Sequence, residues 1–358
     1  MYEPKYEITN KILNSISRTV QAHALIIDAP LRPKWEAGLR FEALVKSVHS
    51  STHLEGNPLT QEEVAQVLRG KEPKRAFRKR DILEVTNYRE VLQYIGEMAK
   101  NRGLQITEDI ILRLHKLCVQ GIEGMENQAG RYRSVQNFIV AGPSRTIVYT
   151  PPPPEKVSHL MENLVDWIQH AAAEGVSPFI ISAIAHYEFE SIHPFVDGNG
   201  RTGRALSTLV LHRMGYDTKS FFSLEEYFDA HPDEYYGNLN RVRSSYSGNP
   251  NPDLTKWTEF FVHTLEVEMT RLEAEVKEYL SQERLRKDLK QENINSRQFK
   301  AVKYLQKHGQ IQSHEYSERF DCSRDTAVRD LKELVDKGII ETQGSGPQLR
   351  YVLMRAYD

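Results

Sequence analysis

Apolar residues along most of this chain recur at steps of three and four, the spacing that gathers them on one face of a helix. The pattern predicts a first helix over Tyr6 to Ile27, stopped at Asp28-Ala29-Pro30. A second starts near Pro33, runs through Trp35, Leu39, Phe41, Leu44 and Val48, and ends at Glu55-Gly56-Asn57-Pro58. Glycine just past a helix end, with proline two residues on, is a strong stop. Thr60 then reads as the cap of a short helix from Gln61 to Leu68, with Glu62 and Glu63 in its first turn. Helices are also predicted over Asp81 to Arg102, Thr107 to Gln120, Glu155 to Glu174 and Ser177 to Ile192. Another reaches about Met214, a loop follows, and a further helix covers Pro232 to Ser245. A long polar helix, Asp253 to about Asn293, carries Trp257, Phe261, Leu265, Met269, Leu272, Val276 and Leu280 in one stripe. Such a stripe suits a domain connector, a homodimer seam, or both.

Two segments break the helical texture. From Arg131 to Thr150, two β-prone runs flank Gly142-Pro143-Ser144 and predict a hairpin, ended by the prolines from Pro151 to Pro154. After Asn293 the pattern is three short helices, Ser296 to Lys307, Ser313 to Phe320, and one capped by Ser323 that stops at Gly338. A hairpin around Gly344-Ser345-Gly346 follows, which completes a winged helix-turn-helix pattern.

Composition narrows this picture. A chain of 358 residues suggests two or three domains, and a formal net charge of −2 provides no global field for nucleic acid or anionic membrane. The start, MYEPKYEITNK, is not a secretory signal, and the most apolar stretch, Phe179 to Phe189, is too short and too polar to span a bilayer. Cys118 and Cys322 lie far apart without metal-like spacing, so thiols in a reducing cytoplasm are expected. The basic run Lys71 to Arg80 reads as a solvated loop and helix start. From Asn293 onward 11 Lys and Arg stand against 9 Asp and Glu, a weak footprint for DNA. Arg324, Arg329 and Lys332 on the third helix could meet a phosphate backbone, and a protein partner or self-association weighs about equally.

The densest chemistry lies in His193 to Arg204, HPFVDGNGRTGR. Pro194 disfavours helical geometry at His193, so the histidine falls at a helix-to-loop corner. Gly198-Asn199-Gly200 lets backbone amides turn inward, and a helix resumes at Arg201, whose N-terminus favours an anion. Arg201 and Arg204 are three apart and share a face above that turn, which suits a polyphosphate. Asp197 is the lone carboxylate beside it, the usual Mg²⁺ ligand in a phosphate site. Histidine is the side chain best matched to deprotonating a hydroxyl near neutral pH. Each residue alone has a blander reading as cap, turn or surface; twelve residues holding all of them do not.

The stretch resembles the signature of the Fic family, His-Pro-Phe-x-x-Gly-Asn-Gly-Arg-x-x-Arg with an acidic residue at the second x, and every fixed position matches. The preceding AHYEFESI, Ala185 to Ile192, is similar to the family's lead-in. The resemblance covers roughly Trp35 to Ser245 and implies transfer of AMP from ATP to a Ser, Thr or Tyr hydroxyl of a protein. It makes His193 the general base, Asp197 the Mg²⁺ ligand, and Gly198, Asn199, Gly200, Arg201, Thr202, Gly203 and Arg204 the nucleotide-phosphate site. Ser51-Thr52-His53-Leu54-Glu55-Gly56 matches the family's inhibitory motif, which implies that Glu55, one turn from Ser51, pairs with Arg204 and displaces the γ-phosphate. In some relatives this glutamate supports removal of AMP, so the reverse reaction is also implied. The 131–150 hairpin resembles the flap that aligns a target by strand addition. Glu234-Tyr235-Tyr236-x-x-Leu239 resembles the adenine-side helix, with Tyr235 against the nucleoside or as a core tyrosine, and Arg243 stands where relatives often carry Asn.

The expected protein is thus mostly α: a Fic-type helical bundle with a small β-hairpin flap, plus a C-terminal winged helix. Its expected divisions are an N-terminal helical region at 1–105, a catalytic core at 106–250, a connecting helix at 251–292 and the winged helix at 293–358. The alternatives are transfer of UMP or phosphate, and a DNA-binding regulator whose Fic domain senses a nucleotide.

Overall fold

The computed structural model describes residues 2–73, 75–101, 105–141, 146–246, 252–291 and 293–354. Helix α1 spans Asn10–Asp28 and begins later than the apolar pattern suggests. Thr9 is the reason: its hydroxyl accepts from the Ile12 amide at 3.3 Å and ends an extended lead-in. That lead-in runs beside a distant segment, with the Leu254 amide on the Lys5 carbonyl at 2.8 Å. Helix α2 covers Pro33–His53 and α3 covers Gln61–Leu68, the latter closed by a reciprocal Thr60–Glu63 capping box. Helices α4 (Lys79–Lys100) and α5 (Glu108–Cys118) follow.

Strands β1 (Ile139–Ala141) and β2 (Thr146–Tyr149) pair antiparallel, with an irregularity between Ile139 and Val140. The hairpin is shorter than its β-prone residues suggest. Gln136 and Asn137 give their side-chain amides to Pro151 O at 2.9 Å and Phe195 O at 2.7 Å, and so anchor its base. The Gly142-Pro143-Ser144 turn lies outside the described residues.

Helices α6 (Pro154–Ala173), α7 (Pro178–Ile192) and α8 (Asn199–Arg213) build the centre. Every residue of α7 from Phe179 to Ile192 is buried, and α8 is buried from Arg201 to Leu211. A helix apolar on all sides belongs in the middle of a bundle. Ser182 and Ser207 keep the two close, with Ser182 Oγ donating to Ser207 O at 3.0 Å. The expected loop after Met214 contains a short helix, α9 (Leu224–Ala230), which Ser223 caps through the Glu226 amide at 3.2 Å. Helices α10 (Pro232–Tyr246) and α11 (Thr255–Gln291) follow. Trp257, Phe261, Leu265, Met269 and Leu272 of α11 are buried in this same chain. Those positions of the stripe are therefore satisfied internally, which removes them as the ground for a homodimer seam.

The chain divides into two units, 1–274 and 275–358. The second has its own core, in which Leu285, Val302, Leu305, Leu331, Leu334 and Ile340 are buried. It comprises α12 (Ser296–His308), α13 (Ser313–Arg319) and α14 (Arg324–Asp336) with three antiparallel strands. These are β3 (Gln310–Ile311), β4 (Ile340–Gln343) and β5 (Arg350–Leu353), in the order β3-β5-β4. At two residues, β3 is too short to show alternation, so periodicity did not predict it. No described helix is long and apolar enough to cross a membrane.

Candidate active site

The loop between α7 and α8 is set by backbone geometry before any side chain acts. His193 closes α7 in the left-handed region, φ 50° and ψ 59°, an uncommon conformation for a residue with a Cβ. Gly198 opens α8 with φ 77°, and a Cβ there would meet Val119 Cγ1 at 2.9 Å. Next to Gly198, Asn199 closes the loop on itself. Its Oδ1 accepts from the Phe195 amide and its Nδ2 donates to the Phe195 carbonyl, both at 2.8 Å. The Asn199 side chain is therefore occupied as a clasp, which leaves its backbone for any phosphate role.

Two residues outside the motif hold the loop down, and neither was singled out by sequence. Arg133, 2% exposed, donates to four carbonyls: His193 at 2.9 Å, Val135 at 3.0 Å, Ile192 at 3.3 Å and Pro152. His115 is fully buried and stacks on Phe195 with ring centroids 3.7 Å apart. Its Nδ1 accepts from the Gly130 amide at 3.0 Å, so its Nε2 carries the proton donated to the Asp197 carbonyl at 3.0 Å. Burial pushes its pKa down to about 4, so it stays neutral as a structural donor.

Charges then fall into two groups. In the first, Asp197 Oδ2 meets Arg80 at 2.7 Å and Oδ1 lies 3.5 Å from Arg201, while the Gly198 amide donates to Oδ1 at 2.6 Å. Burial opposes the Asp197 charge, but Arg201 and Arg80 hold its pKa below the ordinary carboxylate value. Arg80 thus corrects the reading of Lys71 to Arg80 as wholly solvated, since the last residue of that run reaches the loop. Glu84 joins the group, 2.9 Å from Arg80 and 3.5 Å from Arg201, and accepts from Asn57 Nδ2 at 3.0 Å.

The second group centres on Arg204, 1% exposed. Its Nε donates to Ser51 Oγ at 3.0 Å, and its NH2 donates to Ser51 O and to Glu55 Oε1, both at 2.8 Å. The Glu55 side chain remains 29% exposed. A Cβ on Gly200 would sit 2.1 Å from Glu55 Oε1, so glycine is needed for this approach. Beside the pair lies a cavity of about 440 Å³ lined by His193, Gly200, Arg204, Tyr235 and Glu55, with Val140 and Val148 of the hairpin.

Three predicted residues have other surroundings. Thr202 is buried, its hydroxyl donating to Gly198 O at 2.8 Å and lying 3.7 Å from Cys118 Sγ. Gly203 faces Glu190, whose Oε1 would be 2.4 Å from an added Cβ. Neither residue lines the cavity beside Arg204. Tyr235 lends the cavity a ring, but its hydroxyl is spent on His186 Nε2 at 2.8 Å. Its neighbour Tyr236 reaches the Leu54 carbonyl at 3.3 Å, next to Glu55. The Arg243 side chain lies outside the described residues.

The model of the Fic/DOC family matches residues 105–211, which span the hairpin, α7, the loop and most of α8. These residues form a Fic domain. A DeoR-like helix-turn-helix domain matches residues 297–345, within the second unit. The chain is 32% identical over 204 residues to a protein adenylyltransferase Fic of Nematostella vectensis, covering 56% of this chain and 44% of that one. It is 30% identical over 181 residues to a protein adenylyltransferase Fic of Drosophila willistoni, covering 49% and 33%. The chain thus spans less than half the length of these curated relatives. Among solved structures, a Fic family protein from Desulfovibrio desulfuricans G20 matches over 98% of both chains with TM-score 0.62 and 26% identity. A Fic domain containing signaling protein from Bacteroides thetaiotaomicron shares the fold, with TM-score 0.60 over 75% of this chain and 95% of that one, at 24% identity. The fold is mostly helical with small antiparallel strand pairs and a C-terminal helix-turn-helix, as the sequence implied.

Proposed function

We propose that the chain transfers AMP from ATP to a Ser, Thr or Tyr hydroxyl of a protein, itself included, and that Glu55 restrains the reaction. The observation that carries this reading is the buried Arg204, held by a partly exposed carboxylate beside a cavity that also contains His193. A buried guanidinium left without an anion is costly, so a departing Glu55 creates a place for a phosphate.

The hydroxyl oxygen forms its bond to the α-phosphorus as the bond from that phosphorus to the bridging oxygen breaks. Pyrophosphate leaves with the electron pair, and the hydroxyl proton passes to His193. Glu190 Oε2, 3.9 Å from His193 Nδ1, favours the imidazolium that results. The α8 N-terminus, Arg201 and Arg204 supply positive charge to the phosphates, and catalysis of this kind rests on positioning and charge. Asp197 fits a Mg²⁺ site, since it is ionised and partly exposed, and a carboxylate together with phosphate oxygens is a set Mg²⁺ takes. The ion would neutralise phosphate charge there, and Arg80 would yield an Asp197 oxygen to it. With Glu55 positioned as it is, removal of AMP by the same site is the reverse face of this reading.

The exposed apolar residues Val140, Ile147 and Val148 support target alignment on the hairpin. On α14, Arg324, Arg329 and Lys332 are exposed, which supports contact with nucleic acid alongside the DeoR-like match. Two free cysteines support action in a reducing compartment such as the cytoplasm. ATP labelled at the α-phosphate should label protein while γ-labelled ATP does not, and His193→Ala should abolish the label. Label from the γ-position would identify phosphate transfer instead, and label surviving His193→Ala would remove the proposed base.

A further inference from the structure

The last two turns of α2 carry a second constellation that the proposed reaction does not use. His49 and His53 are one turn apart, with rings stacked at 5.2 Å. Asp229, at the end of α9, faces both. Its Oδ1 lies 2.6 Å from His53 Nδ1 and its Oδ2 lies 3.9 Å from His49 Nε2. One donor atom from each of the three falls within 4.8 Å of the others. Histidines at i and i+4 on one helix face are the spacing that binds zinc, and an acidic residue from a second helix is a usual third ligand.

We propose that His49, His53 and Asp229 form a site for a zinc-class divalent ion, with a water completing the tetrahedron. Zinc bonds of about 2.0–2.2 Å place neighbouring ligand atoms roughly 3.3 Å apart. The two imidazoles lie 2.6 and 3.9 Å from the two Asp229 oxygens, and one donor atom from each residue lies within 4.8 Å of the others, so the three side chains stand near that spacing. His53 is exposed, so an ion can enter from solvent. Two nitrogens and one carboxylate select zinc, cobalt or nickel over Mg²⁺, which prefers oxygen.

The site has a consequence that rests on the restraint proposed for Glu55. His49 precedes Ser51 by two residues, roughly 200° around a helix, and Glu55 follows two residues past His53, the last residue of α2. One side of the same turn therefore holds Arg204 and the opposite side holds the metal. An ion joining α2 to α9 pins the turn that must move for Glu55 to leave Arg204.

The test uses the full chain, stripped with a chelator and titrated with Zn²⁺ against a competing chromogenic indicator. The wild type should take up about one equivalent that His49→Gln, His53→Gln and Asp229→Asn each weaken by about tenfold or more. Cobalt in place of zinc should give the visible bands of a tetrahedral site in the wild type and lose them in the variants, with far-ultraviolet circular dichroism confirming that each variant is folded. Unchanged affinity and spectra across folded variants would overturn the site, and so would a wild type that takes up no zinc. Separately, Zn²⁺ should slow self-labelling of the wild type and leave Glu55→Gly unaffected. Failure of that arm with binding intact removes the link to Glu55 and not the site.

Discussion

At the scale of single residues, the site depends on side chains whose charge state is set by burial. Glu188, one turn before the catalytic loop, is buried, and its pKa is pushed up to about 7, against a modest pull from Tyr2. Its folded value lies above the free one, so ionising it weighs against the fold. The penalty grows as pH rises from the free carboxyl range through about 7 and is constant above that. Glu188→Gln should therefore stabilise the protein by up to about 3 kcal/mol at pH 8 and change little at pH 4. Thermal melts of both proteins across that range check this. His115 has the opposite sign. Its folded value of about 4 lies below that of a free histidine, so its contribution is present above pH 6.5 and is lost as pH falls toward 4. His115 and Arg133 escaped sequence reading for one reason: their partners are 82 and 60 residues away, and a lone buried histidine or arginine has no local signature.

At the scale of elements, the loop was legible because its chemistry is contiguous. Pro194 and Gly198 declare the corner and the restart of the helix, and twelve neighbouring residues carry the charges. The Ser51–Glu55 turn was legible by motif, and its contact with Arg204 is present. For Thr202 and Gly203 the motif records spacing and not facing: on α8 they turn toward Cys118 and Glu190. The hairpin was overextended because β-propensity cannot see that Gln136 and Asn137 are spent on anchoring. Arg133, together with Asn137, joins the hairpin base to the His193–Arg204 loop. Arg133→Ala leaves several buried carbonyls without a donor, and we expect a loss of about 2–4 kcal/mol. Denaturant melts should show it, with AMP transfer falling even at temperatures where the variant is folded. A variant as stable and as active as the wild type would deny the arginine this role.

At the scale of the whole chain, two cores require two foldable units. The three-helix pattern after Asn293 made the second unit visible in sequence, whereas the two-residue strand β3 was not. The segment 275–358 made alone should unfold cooperatively, with coincident transitions by fluorescence and circular dichroism. A gradual, probe-dependent transition would mean that this core needs the rest of the chain. A salt-dependent gel shift with the same segment tests whether the exposed basic residues of α14 meet nucleic acid.

The central claim is that one carboxylate holds an assembled transfer site in check. Self-labelling by α-labelled ATP and Mg²⁺, compared between the wild type and Glu55→Gly, tests it most directly. The account predicts a faint signal in the wild type and one at least about tenfold stronger in the variant, the equivalent of about 1.4 kcal/mol of restraint. Equal labelling in the two proteins, with both folded and both binding ATP, would contradict it.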